Sequence, residues 1–502
     1  MTRTHFLIAC AAAIVLIAAA YASSLENSFH FDDSHVIETN TYLRSLDNVP
    51  RFFTDPYTFS SLPQNATYRP LVTLSLALDW AAGNGSPRPF HITQIALLLI
   101  LGALLVAFFT PLLGRWKALL AATLFCVHTA NTETMNLLSA RSELLSTIGL
   151  LASFVLYQRS AFARRTFLYL VPLAIGALAK APLVVFAPLL FLYALFIEKQ
   201  PAKQAFRTAL PSLILGIALL AFLNSMNAPE WTSGGGAAWN YVITQPFVWL
   251  HYGRLFVLPI GLTADTDWQP FAHWYDTRAI AGYAFVALLI LAIRRTRGAV
   301  ALGLAWFAVA LLPTSLFPLA EVANEHRLFF AYIGLVLVAA ALVDWRVLAI
   351  AIFVFAIGTY QRNQIWRTEE TLWADVVRKS PGNGRAWMNY GLTRMAKGHH
   401  NDAKRYFERA LALTPNYSYV EINLGVVEGQ LGDHAAAERH FRRALTLNPD
   451  HNAHFFYARW LVRQGRTAEA VPHLREARRL SPGFADAAAL LDQLQSRSAV
   501  AR

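Results

Sequence analysis

The chain has 502 residues, 55% of them hydrophobic and only 15% charged, with a positive mean hydropathy. A soluble globular chain rarely combines so much apolar residue with so little charge. The formal net charge of +12 does not indicate nucleic acid, because the basic residues of the first part stand in short clusters between apolar runs, where they set membrane topology.

Residues 1–361 hold long apolar runs, while 362–502 are rich in Arg, Glu, Asp and His. The prediction is an all-α chain: a polytopic membrane helix bundle of about 11 spans, then, since Pro381, Pro415 and Pro449 recur every 34 residues, a superhelix of tetratricopeptide (TPR) repeats. The run Phe6–Tyr21 after Arg3 reads as an uncleaved anchor, since Ala22-Ser23-Ser24 is a weak cleavage site. Counting 5–22 as the first span, the others are expected near 90–112, 117–130, 143–158, 166–179, 182–197, 208–224, 279–293, 299–315, 328–343 and 346–361. Cys10 and Cys126 both lie in apolar segments, so no disulfide framework can be read.

Arg3, Arg115/Lys117, Arg159/Arg164/Arg165, Lys199/Lys203/Arg207, Arg294/Arg295/Arg297 and Arg346 then fall on one side, which the positive-inside rule makes cytoplasmic. The same parity leaves 241–258, with Gln245, His251 and Arg254, as an interfacial or re-entrant helix on the outer face. Outside lie the loop 24–89, the segments 129–142, 225–278 and 316–327, the tip at Lys180, and the C-terminal domain. For a bacterial inner membrane, which the Ala/Arg-rich usage favours, that side is the periplasm; in a eukaryote it is the ER lumen.

The C-terminal domain, 362–502, shows internal repetition. Pro381, Pro415 and Pro449 are 34 residues apart, the TPR period, and Pro482 follows after 33. Gly391 and Gly425 keep that phase, as do Gly398 and Gly432, and Ala410, Ala444 and Ala477. Three repeats are expected at about 383–415, 416–449 and 450–482, between end caps 366–380 and 483–502. Such arrays commonly bind a protein segment.

Two adjacent carboxylates, Asp32 and Asp33, stand about ten residues beyond the first span. An isolated Asp-Asp is usually a solvated loop or a helix cap. Here polar residues recur wherever spans meet the outer face: Arg69, His91, His128, Glu133, Arg141, Glu143, Lys180, Asp265 and Glu325-His326-Arg327. Ionisable groups at membrane depth are costly, so they are paired or functional. Carboxylates and cations together suit a base for an acceptor hydroxyl and a binding site for a departing phosphate.

The ordered set Phe31-Asp32-Asp33, Tyr68-Arg69-Pro70-Leu71, Phe90-His91, His128 through Glu133 to Arg141 and Glu143, Leu178-Ala179-Lys180, His326-Arg327 and Arg362-Asn363-x-x-Trp366 resembles the transmembrane-and-TPR O-mannosyltransferases. The resemblance covers nearly the whole chain and implies a C-class glycosyltransferase. It implies inverting transfer of a sugar from a polyprenyl- or dolichyl-phosphate donor to an acceptor hydroxyl, such as protein Ser or Thr, on the outer or luminal face. By the same resemblance, Asp32 or Asp33 is the base, and Arg141, Lys180 and Arg327 hold the donor phosphate. Arg69, His91, His128, Glu133, Glu143, Asp265 and His326 support them. Glu133 and Asp265 with the Asp pair also offer oxygen ligands to a divalent metal, a question the sequence leaves open. The TPR domain is expected to engage an acceptor protein. Two other readings compete: an outer-face polysaccharide polymerase or glycan ligase, disfavoured because the large outer loop comes first, and a non-enzymatic TPR scaffold, which gives no reason for the outer polar cluster.

Overall fold

The computed structural model describes residues 3–180, 184–231, 235–481 and 483–500, with side chains to 496. Pro482, expected to close the third repeat, and the start of the 182–197 span lie outside the described residues. The described chain is helical, and its contacts divide it into two compact units.

The first unit comprises 1–264 and 268–368. Its helices of eight or more residues are α1 (Arg3–Ala20), α2 (Pro70–Gly83), α3 (Pro87–Leu113), α4 (Arg115–Cys126), α5 (Arg141–Arg159), α6 (Leu170–Ala177), α7 (Phe186–Phe196), α8 (Ala202–Met226), α9 (Ala238–Val257), α10 (Thr277–Arg295), α11 (Gly298–Leu316), α12 (Tyr332–Leu342) and α13 (Trp345–Ile365). Among the described residues, six helical segments are long and apolar enough to cross a membrane: 3–26, 87–113, 138–159, 202–226, 277–295 and 298–316. Their outward faces carry exposed apolar side chains, such as Leu7, Ile8, Ile214, Ile217 and Leu288. In water such a belt would be a liability; against lipid it costs nothing. The protein is a multi-pass membrane protein.

The remaining expected spans are shorter or differently built. Helices α4, α6, α7 and α12 have 8 to 12 residues, too few to cross ~30 Å of hydrocarbon at 1.5 Å per residue. The segment 166–179 is broken because Phe167 takes a left-handed φ of 59° before α6 begins. α13 has 21 residues and runs on to Ile365, so Arg362 and Asn363 lie in its last turn. The segment expected as interfacial forms α9, a 20-residue helix that is not among the apolar six.

The loop that follows α1 is not a solvated tether. Its apolar residues Phe29, Val36, Ile37, Leu43, Phe52 and Phe59 bury together against Val72 and Leu76 of α2, a second small core. α2 itself was expected as loop; it starts with Pro70 at a position that needs no N–H and ends at Asn84 in the left-handed region (φ 48°). Asn40 Nδ2 donates to the carbonyls of Val36 and Thr58, so the loop is cross-tied by one side chain.

The second unit comprises 369–502 together with 265–267. α14 (Glu369–Lys379) is followed by three antiparallel pairs: α15 (Gly384–Ala396) with α16 (His400–Leu413), α17 (Ser418–Leu431) with α18 (His434–Leu447), and α19 (His451–Arg463) with α20 (Thr467–Leu480). α21 (Ala485–Val500) closes the order. The phased residues have separate physical tasks. A Cβ at Gly391 would stand 2.5 Å from the Phe407 ring, and one at Gly425 2.9 Å from Phe441, so each pair crosses where only glycine fits. Gly398, Gly432 and Gly465 all turn between paired helices at φ near +80° (77°, 88° and 76°).

Candidate active site

The loop geometry separates the two carboxylates. Phe31 has a φ of 52°, an unfavourable left-handed conformation for a bulky residue, immediately before the pair. The chain then turns so that Asp33 points inward and Asp32 outward. Asp33 is fully buried and accepts from the backbone N–H groups of Ser139 (2.7 Å), Leu138 (3.2 Å) and His30 (3.3 Å). Burial pushes its carboxyl up to about 6 against the pull of those donors. Asp32 keeps 66% of its side chain exposed and faces His35 Nε2 at 3.5 Å. Burial of its surroundings raises this carboxyl, but the hydrogen bond and charge of His35, with the charges of His326 and Arg69, hold it below the ordinary value.

The family-like motif Arg362-Asn363-x-x-Trp366 supports this loop from behind. Asn27 Nδ2 donates to Asn136 Oδ1 (2.6 Å), Asn136 Nδ2 to Asn363 Oδ1 (2.6 Å), and Asn363 Nδ2 to the Ala20 carbonyl (2.9 Å). His30 Nε2 lies 2.6 Å from the Trp366 carbonyl. A buried, mutually satisfied polar ladder of this kind fixes one arrangement, since each broken link would strand a buried polar group.

The cations divide as well. Arg141 is fully buried and engaged throughout: Nη1 meets Asp79 at 2.5 Å, Nε donates to Gln94, and Nη2 donates to the Phe90 carbonyl at 2.9 Å. It does not line the cleft that Lys180 and Arg327 share with Glu143, so the expected three-cation set is not assembled. That cleft also has Ser146, Thr147 and Thr314 for polar lining, and Leu150, Val185 and Phe330 as apolar wall. Lys180 pairs with Glu143. Arg327 donates to the Glu321 carbonyl at 2.8 Å, with the Glu321 carboxylate at 3.8 Å from Nη2. Arg69 stacks over Phe59 at 5.0 Å and lies within electrostatic range of both Asp32 and Glu143. It thereby links the carboxylate to the cleft.

Glu133 and His326 form a third, buried element: Nδ1 of His326 is 2.6 Å from Oε1 of Glu133, whose other oxygen accepts from the Glu325 N–H. Burial pushes the Glu133 carboxyl up and the His326 imidazole down.

Three expected supporting residues stand elsewhere. His128 is a satisfied core histidine: its Nδ1 accepts from the Ala130 N–H, its Nε2 donates to the Phe256 carbonyl (2.9 Å), and it stacks on Phe256. His91 is fully buried and does not line the cleft. Asp265 is held bidentately by Arg385 (2.9 and 3.0 Å) within the second unit. Among the described residues no group of three His, Cys, Asp or Glu side chains gathers, and that donor set does not fit a divalent ion.

Residues that the sequence reading missed include His35, Asp79 and Glu321. Asp79 carried a signal: it is a lone ionisable group in the apolar stretch Leu74–Trp80, where burial demands a partner. His35 stands three residues from Asp32 in a helical turn, a spacing that brings side chains together.

Fold and site together define a multi-pass helical membrane protein with a carboxylate and a cation-lined cleft in one unit and tetratricopeptide repeats in the other. Two models described as tetratricopeptide repeat match residues 382–450 and 422–485. The protein O-mannosyl-transferase F38B6.6 of Caenorhabditis elegans is 24% identical over 430 residues, covering 79% of this chain and 61% of that protein. Protein O-mannosyl-transferase TMTC3 of Mus musculus is 22% identical, covering 80% and 51%. Protein O-mannosyl-transferase Tmtc1 of Drosophila melanogaster is 31% identical over 166 residues, covering 32% and 19%. The chain is similar to these protein O-mannosyl-transferases over about four fifths of its length, and it spans about half to three-fifths of the length of the first two. A solved structure, the APC/C hetero-tetramer Cut9-Hcn1, matches with a TM-score of 0.28 at 14% identity, covering 90% of this chain and 99% of that one, a likeness too low to bear on the fold.

Proposed function

We propose that the protein is a membrane glycosyltransferase that moves a sugar from a polyprenyl- or dolichyl-phosphate donor to a hydroxyl, on a protein Ser or Thr, at the outer or luminal face. The observation that carries the proposal is the pairing of an exposed Asp32, linked through Arg69, with a cleft whose cations are Lys180 and Arg327 and whose wall is apolar. A lipid phosphate needs both kinds of lining at once. The homologues' name supports the reaction class.

In this mechanism Asp32 takes the proton of the acceptor hydroxyl, and the oxygen attacks the anomeric carbon from the face opposite the phosphate. The C–O bond to phosphate breaks with inversion, and the lipid phosphate leaves with one more negative charge than it had in the donor. Lys180 and Arg327 stabilise that gain, which is realised in the transition state. Arg141 is assigned a positioning role through Asp79 and Gln94, and Asp33 holds the loop.

The test is an assay of the purified full-length protein with a panel of synthetic polyprenyl-phosphate sugars and a Ser/Thr peptide. Release of lipid phosphate with sugar transfer is expected for at least one donor. No turnover of any donor by a well-folded protein would overturn the proposal and leave the scaffold reading.

A further inference from the structure

The second helices of the three repeats, α16, α18 and α20, carry nine Lys and Arg against five acids. The repeat register sets these cations in line. Arg405 and Arg439 are 34 residues apart, as are Arg409 and Arg443; Arg442 and Arg475 are 33 apart, the same step as Ala444 and Ala477. All six arginines are exposed. Equal positions in successive repeats stack along a solenoid, so these side chains stand in columns that run from repeat to repeat.

The acids of the same helices are already engaged. Asp402 pairs with Arg405, Glu438 with Arg442 and Arg466, Glu469 with Arg466 and Glu476 with Arg479, while Glu408 faces the charge of Lys404. Among the described residues no ion pair holds Arg409, Arg439, Arg443, Arg475 or Arg478. The three helices are also poor in apolar surface, with Leu480 their one exposed large hydrophobic side chain among the described residues. A protein interface keeps an apolar core inside a polar rim. Columns of arginine without such a core suit a plane of diffuse negative charge instead.

Such a plane is close at hand. Only residues 366–368 join α13 to α14, and three residues reach no more than about 11 Å. α13 exposes Ile350, Phe353, Val354 and Ile357, apolar side chains that belong against lipid. The repeat unit is therefore held at high effective concentration beside a bilayer.

We propose that the face formed by α16, α18 and α20 docks on anionic phospholipid headgroups of the bilayer that the chain spans, with Arg409, Arg443 and Arg475 seated among the phosphates. A guanidinium offers a phosphate two parallel N–H donors, which suits arginine to this contact. Each arginine near an anionic surface favours the docked state by about fivefold. The attraction decays over about 8 Å at physiological salt. The proposal stands apart from the transferase reading: it is measured by lipid proximity alone, so either can fail without the other.

The experiment uses the full chain with Cys10→Ala, and with Ala412→Cys on α16 carrying a donor dye, in nanodiscs that contain a dye-labelled acceptor lipid. Energy transfer is expected to rise when part of the phosphatidylcholine is replaced by phosphatidylglycerol, and to fall again at high salt. The triple variant Arg409→Gln/Arg443→Gln/Arg475→Gln removes three exposed, unpaired charges. It is expected to lower the ratio of docked to free repeat unit in the anionic discs by about a hundredfold, with circular dichroism unchanged. The corresponding triple variant to Lys keeps the charge and should keep most of the docking. Equal energy transfer in neutral and anionic discs, or a Gln variant that responds as its parent does, would overturn the proposal. So would a chain that binds soluble polyglutamate through these arginines yet ignores the anionic lipid, which would make an acidic protein the occupant.

Discussion

The backbone N–H of Ser139 donates to Asp33 Oδ1 at 2.7 Å, and this bond ties the loop that follows α1 to the segment that leads into α5. One of two adjacent carboxylates is thereby spent on architecture, while the other faces outward. Asp33→Asn replaces an acceptor by a donor opposite backbone N–H groups, so it is expected to destabilise by about 1–3 kcal/mol and to lower the melting temperature of the detergent-purified protein. Asp32→Asn should leave that temperature unchanged and reduce sugar transfer by about 10²–10⁴-fold, since that is what a positioned base contributes. An Asp32→Asn protein with near-normal transfer would remove the mechanism.

Arg141 and Arg327 should respond differently to the same substitution. Arg141→Gln strands Asp79 as a buried charge, which typically costs about 3–5 kcal/mol, and poor yield of folded protein is expected. An Asp79→Leu/Arg141→Met double variant should recover folding. Arg327→Gln and Lys180→Gln should fold and instead weaken donor binding, measured by titration with a labelled polyprenyl-phosphate sugar.

The acid limb of the pH profile reports on His35. In the proposed mechanism Asp32 acts when ionised, and its carboxyl lies below the ordinary value because His35, His326 and Arg69 outweigh burial. Lowering that value extends the ionised form to lower pH. In His35→Ala the burial effect is less offset, so the acid limb of kcat/KM should move to higher pH, seen as a larger loss at pH 5 relative to pH 7. An unshifted limb would disconnect His35 from Asp32.

The glycine crossings predict the stability of the repeats. In a fragment 369–502, Gly425→Ala places a methyl within 2.9 Å of the Phe441 ring and should cost about 1–3 kcal/mol by overpacking. Gly483→Ala in the same fragment, which meets nothing within 4 Å, is the matched control. Thermal unfolding followed by circular dichroism measures both.

The basic clusters predict the sidedness of the chain. A reporter fused at Thr296 should be active in the cytoplasm, and one at Ser418 only outside it. Cytoplasmic activity at Ser418 would invert the topology.

Helix class, the membrane character and the repeat phase were all legible in the sequence, because each is written in a local period: long apolar runs, and the 34-residue recurrence of Pro381, Pro415 and Pro449. The list of outer-face ionisable residues was legible too, since charge beside apolar runs stands out against composition. Their division into working and structural groups was not. Asp32 and Asp33 are equivalent as letters; a left-handed Phe31 and three N–H donors from distant or turned backbone distinguish them. Arg141 reads as a phosphate ligand until Asp79, 62 positions earlier in chain order by residue number, closes on it at 2.5 Å. Lys180 reads as a hairpin tip until Glu143 meets it. A pairing partner is chosen by where helices pack: Asp79 and the Phe90 carbonyl engage Arg141 wholly inside the protein, whereas Lys180, though paired with Glu143, still lines the cleft.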